Sequence, residues 1–334
     1  MRIIASILLP LILLLGTYTA ISGQDKKWTI VSSASIFQDM VSNIGGDLVD
    51  AKTIVPLGSD PHLYDPTPRD ARLVQNADLI FVNGLTFEGW IEDLVENSGT
   101  SAKMLRITEG ASTISSEEYK NASDPHVWMD ASNGLIYIQN IRDALKSLDP
   151  DNAAIYDQNH DRYAAEIKEL DQYIETEIQK IPANQRVLIT SHDAFAYYGR
   201  RYGLSLNAIM GISTEAEAQT SDIIRVSKVI QESQVPAIFI ESTINPKLLR
   251  QIADDNGVKI GGELFADSLG PESSEGSTYL KMLKHNTDVI VKALSEVKRN
   301  EASQVKEPST PLWLYSIFAF ILLGALITAI IKFK

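Results

Sequence analysis

Histidines held in rigid surroundings are the residues of this sequence best suited to chemistry, and that chemistry is metal binding. His62 lies in the loop 58–68, which reads GSDPHLYDPTP and contains three prolines. Each proline ring fixes its own φ and restricts the residue before it. A stiff loop loses less conformational entropy when its side chains converge on a ligand, and imidazole is a common metal ligand.

The same tripeptide recurs, and a third histidine follows a predicted strand. His126 ends the second copy, Asp124-Pro125-His126, and His192 comes shortly after the apolar run 186–190. The sequence has only five histidines, so their placement on rigid loops and strand ends indicates shared metal ligands. Taken singly, each histidine could equally form local hydrogen bonds. Taken together, the three favour a metal site.

Composition narrows the classes of function. The 334 residues suffice for two domains of ordinary size. A net charge of −13 and a pI of about 4.9 argue against nucleic acid as a partner. The sequence has no cysteine, which excludes disulfides, thiolate metal sites and cysteine nucleophiles. Histidine and carboxylate are therefore the available metal ligands.

The two ends of the chain predict export and anchoring. The charged start, apolar run and small residues of 1–23 are typical of a secretory signal peptide. Residues 312–331 form an uncharged apolar run long enough to be a transmembrane helix, and 298–311 has the composition of a polar tether. We therefore expect a cell-membrane protein with a single C-terminal anchor and an extracellular or periplasmic body.

Between these ends, short buried strands alternate with amphipathic helices. This alternation predicts an α/β fold in which mainly parallel sheets are flanked by helices. It occurs twice, once in an N-terminal lobe at 27–150 and again in a C-terminal lobe at 182–297. The strands of the first lobe are expected at 28–31, 53–55, 79–82 and 104–107.

A long periodic segment separates the two lobes. In 151–181, apolar residues recur at steps of three, four or seven with charges between them. A helix of this length would extend about 46 Å. We interpret it as a rigid backbone helix that joins the lobes, with a coiled-coil dimer as the alternative.

The expected topology brings the candidate ligands to one place. In open α/β sheets, ligands bind beyond the carboxyl ends of the strands. His62 and His192 follow predicted strands directly, Asp267 follows the last strand after a short loop, and His126 follows a longer loop. Since each lobe supplies two candidates, a cleft between the lobes would collect all four. A bound ion would then couple binding to closure.

Five segments form an ordered set of motifs: Asp60–Pro68, Asp124–Trp128, Thr190–Phe195, Ile212–Glu217 and Phe265–Ser268. Together they resemble the motifs of zinc- and manganese-specific solute-binding proteins of ABC transporters, of the type called metal-binding cluster A-I. The resemblance covers roughly 28–297 and implies two α/β lobes with a buried first-row metal held by His62, His126, His192 and Asp267.

The resemblance also bears on the choice of metal. Members of this group with glutamate at the position of His192 are mostly manganese receptors, so the histidine here favours Zn²⁺ over Mn²⁺. A site of three imidazoles and one carboxylate also favours Zn²⁺, because it is rich in nitrogen and Mn²⁺ prefers more oxygen ligands. Two departures are that many members carry a lipid-modified cysteine, and that the loop 109–123 lacks the histidines of a metal-scavenging loop.

Four further residues receive weaker interpretations. His160, on the long helix, and His285, on the last helix, are expected to be structural or solvated. Glu241 stands at a predicted strand end and is a candidate partner for one of the ligands. Trp128 is expected to pack beside the site rather than to contact the ion.

The sequence therefore predicts an extracytoplasmic receptor, monomeric and without enzymatic activity, that captures a divalent transition metal and delivers it to an ABC permease. The chain contains no nucleotide-binding loop, so the permease and ATPase are separate proteins. A metallohydrolase is one alternative, but it needs an open coordination position and a general base. A cell-surface adhesin with a structural metal is the other.

Overall fold

The computed structural model describes residues 27–115, 123–296 and 332. The described part of the first lobe contains a parallel sheet whose four strands alternate with helices. Its elements are β1 (Trp28–Ser32), α1 (Ser35–Gly45), β2 (Val49–Thr53), α2 (Pro68–Gln75), β3 (Leu79–Val82), α3 (Ile91–Ser98), β4 (Lys103–Arg106) and α4 (Ala131–Leu148). The strand order is β2-β1-β3-β4.

Burial on both faces explains the composition of this sheet. Every residue of β3 is buried, which accounts for its uninterrupted apolar run, because helices cover both faces of a parallel sheet. In α1 the apolar residues recur at helical spacing, and they form the buried face that packs on the sheet. These positions are Ile36, Phe37, Met40, Val41 and Ile44.

The second lobe repeats the alternation of strand and helix. The strands β5 and β6 pair in parallel, as do β7 and β8, and β5 lies beside β7. The elements are α5 (Ala153–Ile178), β5 (Val187–Thr190), α6 (Ala196–Tyr202), β6 (Ser205–Ala208), α7 (Thr220–Ser233), β7 (Ala237–Glu241), α8 (Lys247–Asn256), β8 (Lys259–Leu264) and α9 (Tyr279–Leu294).

The long helix α5 joins the lobes, and the prediction of such a helix is confirmed. At 26 residues it is about 39 Å long. It is shorter than the predicted 151–181 because a 3₁₀ turn at Pro150–Asn152 precedes it and the helix already ends at Ile178. Its apolar face packs against α1 and α4 of the first lobe and α9 of the second. One apolar core thus runs through both lobes and α5, so the face considered for a coiled coil is buried within this chain.

Two local predictions for the first lobe were wrong. The second strand was expected at 53–55 but lies at Val49–Thr53, where Asp50 and Lys52 alternate with less polar residues at the edge of the sheet. An edge strand exposed on one side lacks the apolar run by which we located buried strands. The apolar spacing from Phe87 to Val95 predicts a helix over that segment, but α3 begins only at Ile91, after a turn at 85–90 that follows the positive φ of Gly84 and includes positive φ at Leu85 and Thr86.

The predicted ends of the chain lie outside the described residues. This applies to the signal peptide at 1–23, the tether at 298–311 and the anchor at 312–331. Among the residues that are described, no helix has the length and apolar character needed to cross a membrane. The lobe boundaries at 27–150 and 182–297 remain our proposal.

Candidate metal centre

The four predicted ligands lie together between the lobes. His62, His126, His192 and Asp267 are all buried, and one ligand atom from each lies within 4.8 Å of the others. His62 and His126 come from the first lobe, and His192 and Asp267 from loops that follow β5 and β8 of the second. The expected convergence of two candidates from each lobe is therefore observed.

The distances between these atoms suit a small metal ion. Asp267 Oδ2 lies 3.2 Å from His192 Nε2, and Asp267 Oδ1 lies 3.4 Å from His126 Nε2. The two Nε2 atoms of His126 and His192 are 3.3 Å apart. Ligands bound tetrahedrally to zinc lie about 3.3 Å from one another. His62 is looser, with its Nε2 3.9 Å from Asp267 Oδ2.

The repeated Asp-Pro-His tripeptide forms the same local turn twice. Oδ1 of Asp60 accepts a hydrogen bond from the backbone N–H of His62 at 2.9 Å, and Asp124 does the same for His126 at 2.9 Å. In such a turn the aspartate side chain accepts from the backbone two residues on. The turn fixes the backbone that carries each imidazole, which explains the physical use of the motif.

The two copies differ in what else the aspartate does. Asp124 Oδ1 also lies 2.8 Å from Nδ1 of its own His126, which leaves Nε2 to face the cluster. Asp60 instead accepts a hydrogen bond at its other oxygen, Oδ2, from the hydroxyl of Thr214 in the second lobe. Sequence reasoning assigned no role to either aspartate, although both precede a histidine at the same spacing.

Packing holds the two first-lobe histidines in place. The indole N–H of Trp90 donates to the carbonyl oxygen of Pro61 at 2.8 Å. Phe87 lies edge-on to His62, with 5.0 Å between ring centroids. Trp128 is fully buried, with its ring centroid 5.3 Å from that of His126. Its indole N–H donates to Ala266 O at 3.0 Å, so the prediction that Trp128 packs beside the site is confirmed.

His192 is oriented by Glu241, as the sequence suggested. Glu241 ends β7, and its Oε1 accepts the backbone N–H groups of Ser191 and His192 at 2.8 and 2.9 Å. Its Oε2 lies 2.7 Å from His192 Nδ1, an ion-pair contact rather than a well-aligned hydrogen bond. A carboxylate close to Nδ1 favours a proton on that nitrogen and leaves the lone pair of Nε2 free to bind a metal. This is the usual arrangement behind a metal-binding histidine.

Buried polar atoms of the cluster lack protein hydrogen-bond partners. Within the described residues, neither carboxylate oxygen of Asp267 receives a well-aligned hydrogen bond, and His62 Nε2 has no partner. A buried polar atom without a partner costs free energy, and an unpaired charge costs more. A cation between these atoms would satisfy them, so their arrangement fits a metal better than it fits a purely structural cluster.

The pKa values of the three clustered histidines shift in different directions. Burial lowers the pKa of His62 to about 3. Burial alone would also lower the pKa of His126, but the neighbouring Asp124 and Asp267 outweigh it and raise that pKa to about 9. For His192 burial is likewise outweighed by Glu241 and Asp267, so its pKa lies well above the usual value.

The carboxylate shows the opposite balance. Burial by itself would raise the pKa of Asp267, but the nearby imidazoles of His192 and His126 hold it well below the usual value. In the metal-free cluster these shifts favour an ionised Asp267 and additional protons on His126 and His192. A metal must displace those protons when it binds.

The other two histidines lie outside the cluster. His160 Nδ1 is 3.0 Å from Asp161 Oδ1, and His285 Nε2 is 3.1 Å from the carbonyl oxygen of Glu263. Both sets of surroundings agree with the structural or solvated roles predicted for these residues.

Comparison with known proteins gives a match over most of the chain. The sequence model of the family described as ZnuA, zinc-uptake complex component A periplasmic, matches residues 30–293. The manganese-binding lipoprotein MntA of Halalkalibacterium halodurans is 36% identical over 84% of this chain and 92% of its own length. The manganese ABC transporter substrate-binding lipoprotein PsaA of Streptococcus anginosus is 34% identical over 84% and 93%.

Solved structures agree with the sequence matches. The periplasmic zinc-binding protein TroA from Treponema pallidum superimposes with a TM-score of 0.77 at 34% identity, covering 80% of this chain and 99% of that one. A manganese-bound periplasmic metal-binding protein from Candidatus Liberibacter asiaticus gives a TM-score of 0.74 at 32% identity, with coverages of 80% and 100%. A cadmium-bound structure of the Liberibacter protein matches at the same TM-score.

Proposed function

Since the chain belongs to the ZnuA family of metal-binding receptors, we propose that it captures a divalent transition metal between its lobes and delivers it to an ABC permease. The observation that carries this proposal is the cluster of His62, His126, His192 and Asp267, buried and contributed equally by both lobes. Such a site can form only when the lobes are together, so the ion itself favours the closed arrangement.

The metal is substrate in this proposal rather than a resident cofactor. Four protein ligands fill the coordination shell of tetrahedral zinc and leave no position for a reacting water. That argues against the metallohydrolase alternative, and the relatives are named as binding proteins rather than enzymes. An adhesin with a structural metal would not need ligands divided between two lobes.

For the identity of the metal, we propose that zinc binds more tightly than manganese. The observed donors are three imidazoles and one carboxylate, a nitrogen-rich set that suits zinc, whereas manganese prefers more oxygen ligands. The names of the relatives point in both directions, with manganese in MntA and PsaA and zinc in TroA. The preference is therefore a prediction of donor chemistry and needs direct measurement.

The proposal includes the protein's location and partners. We place the body outside the cytoplasm as a monomer, with a permease and an ATPase as separate proteins in the membrane. The relatives MntA and PsaA are called lipoproteins, whereas this sequence contains no cysteine to carry a lipid. The predicted span at 312–331 would take the place of the lipid as the membrane anchor.

Calorimetric titration of the metal-stripped protein with Zn²⁺, and separately with Mn²⁺, tests the proposal. We expect one ion per chain, and we expect Asp267→Asn to abolish or severely weaken binding because it removes the one charged ligand. The exposed carboxylate of Glu92 supplies the matched control Glu92→Gln, which should bind as the unmodified protein does. Absence of binding for both metals would refute the receptor function.

A further inference from the structure

A single carboxylate connects the first lobe's metal-binding loop to the second lobe. Asp60 Oδ1 accepts the backbone N–H of His62 at 2.9 Å, and Asp60 Oδ2 accepts the hydroxyl of Thr214 at 2.6 Å. The first bond is local, whereas the second joins residues that lie 154 positions apart in the sequence. Asp60 therefore connects Thr214 to the turn that positions one of the proposed ligands.

Thr214 belongs to a loop with few other attachments, residues 211–219 between β6 and α7. At the two ends of the loop, Gly211 O accepts from Asp193 N at 3.2 Å and Gln219 O accepts from Asp222 N at 3.0 Å. Apart from the bond to Asp60, the remaining hydrogen bonds between these ends, among the described residues, join loop residues to one another. Among the described residues, the bond from Thr214 to Asp60 is thus the hydrogen bond that joins the middle of the loop to the first lobe.

The loop also borders a pocket. A pocket of about 510 Å³ reaches Asp124 and Asp193, which lie beside the proposed metal ligands, and it is lined on the loop side by Gly211, Ile212 and 216–219. Side chains of a filled core resist displacement because they are close-packed. A loop that borders a cavity has less such resistance, so a single strong hydrogen bond contributes a larger share of what holds it closed.

We propose that the Thr214–Asp60 hydrogen bond is a latch that slows release of the bound metal by holding the loop 211–219 closed against the His62 turn. The inference rests on the proposed function, because it concerns the release of the ion captured there. Thr214 is a positioning residue: it does not reach the ion, and it acts through Asp60. Opening the latch separates the loop from the His62 turn.

The hydroxyl group of Thr214 provides a sharp test. Thr214→Val keeps the shape of the side chain but removes the donor, while Thr214→Ser keeps the donor. A hydrogen bond to a carboxylate is stronger than one between neutral groups, and its loss should accelerate metal release roughly tenfold or more. The control is Ser213→Ala on the same loop, since the Ser213 hydroxyl accepts only from Glu215 N at 3.3 Å among the described residues.

The measurement is release from the loaded full-length chain into an excess of a fluorescent chelator, followed by stopped flow for Zn²⁺ and separately for Mn²⁺. We expect faster release for Thr214→Val and for Thr214→Ala, and the unmodified rate for Thr214→Ser and Ser213→Ala. Equal rates for Thr214→Val and the unmodified protein would overturn the latch while leaving the receptor function intact. Failure of the unmodified protein to load either metal would instead refute the receptor function.

A second comparison separates the latch from a general loosening of the loop. In an Asp60→Ala background the acceptor is already gone, so adding Thr214→Val should change the release rate by less than about twofold. If Thr214→Val accelerates release equally with and without Asp60, the two residues act independently. That result contradicts a latch formed by this pair.

Discussion

Glu241 Oε2 lies 2.7 Å from His192 Nδ1, on the imidazole nitrogen that does not face Asp267. The other oxygen of Glu241 is fixed by the backbone N–H groups of Ser191 and His192. One carboxylate therefore positions both the ring and the backbone of a proposed ligand. Asp124 has the same double role toward His126, so each lobe supports one histidine in this way.

This relationship predicts the effect of Glu241→Gln. The amide oxygen would keep the position that accepts Ser191 N and His192 N, which directs the amide NH₂ toward His192 Nδ1. Nδ1 would then become an acceptor, and the proton would move to Nε2, where it blocks a metal. We expect metal affinity to fall by about 10–100-fold, measured by competition with a chelator. Unchanged affinity in this variant would contradict the orienting role of Glu241.

The pKa pattern predicts a dependence of metal binding on pH. The pKa of His126 is raised to about 9, so below that pH its imidazole is protonated in the metal-free protein. Binding must release this proton, and affinity should fall as the pH is lowered from about 9. His62 does not add to this dependence near neutral pH, because its pKa is lowered to about 3. Calorimetry in two buffers of different ionisation enthalpy measures the protons released, and a value of zero at pH 7 would exclude this assignment.

A buried hydrogen bond between the lobes predicts an effect on stability. Tyr279 of α9 donates its hydroxyl to Trp128 O at 2.7 Å, and both residues are fully buried. Tyr279→Phe leaves that carbonyl without its partner, which should lower the free energy of unfolding by about 1–3 kcal/mol. Urea unfolding of the metal-free protein measures the change. Tyr173→Phe, at an exposed hydrogen bond to Asp288, is the control and should change stability by less than about 0.5 kcal/mol.

The parts of this fold that the sequence predicted are those with local signals. The strand Val187–Thr190 lies within the short apolar run 186–190, from which the sequence predicts a strand. The tripeptides ending at His62 and His126 are rigid for reasons contained within three residues, the proline ring and the aspartate turn. Convergence of the ligands followed from topology, because loops after parallel strands meet at one edge of the sheet.

The parts that the sequence did not predict depend on distant contacts. The bond from Thr214 to Asp60 joins the two lobes, and neither residue alone indicates its partner. The alternation of polar residues in β2 reflects its edge position, which depends on how the strands assemble. The positive φ values of Leu85 and Thr86 are likewise unexpected for these residue types, so the late start of α3 could not be foreseen.

The predicted anchor can be tested by truncation. Deleting 298–334 should release the protein from the membrane while leaving metal affinity unchanged, because the four proposed ligands lie between His62 and Asp267. Fractionation of cells that express the full-length and shortened chains gives the first result, and chelator competition gives the second. Retention of the shortened chain in the membrane fraction would show that the anchor lies elsewhere.

Replacement of His192 by glutamate tests the proposed preference for zinc. An oxygen ligand in place of a nitrogen ligand favours manganese relative to zinc, so His192→Glu should narrow the difference between the two affinities. The new carboxylate would also face Glu241, whose Oε2 now lies 2.7 Å from His192 Nδ1. Repulsion between the two carboxylates should therefore weaken binding of both metals.

The double variant His192→Glu/Glu241→Gln removes this repulsion and should recover affinity, more for manganese than for zinc. Competition titrations with the two metals measure the ratio of affinities, and His160→Gln, outside the cluster, is the control with an unchanged ratio. If manganese displaces zinc from the unmodified protein at equal concentrations, the preference for zinc is wrong. That result would leave our proposal for the four ligands in place, since their convergence does not depend on which ion they hold.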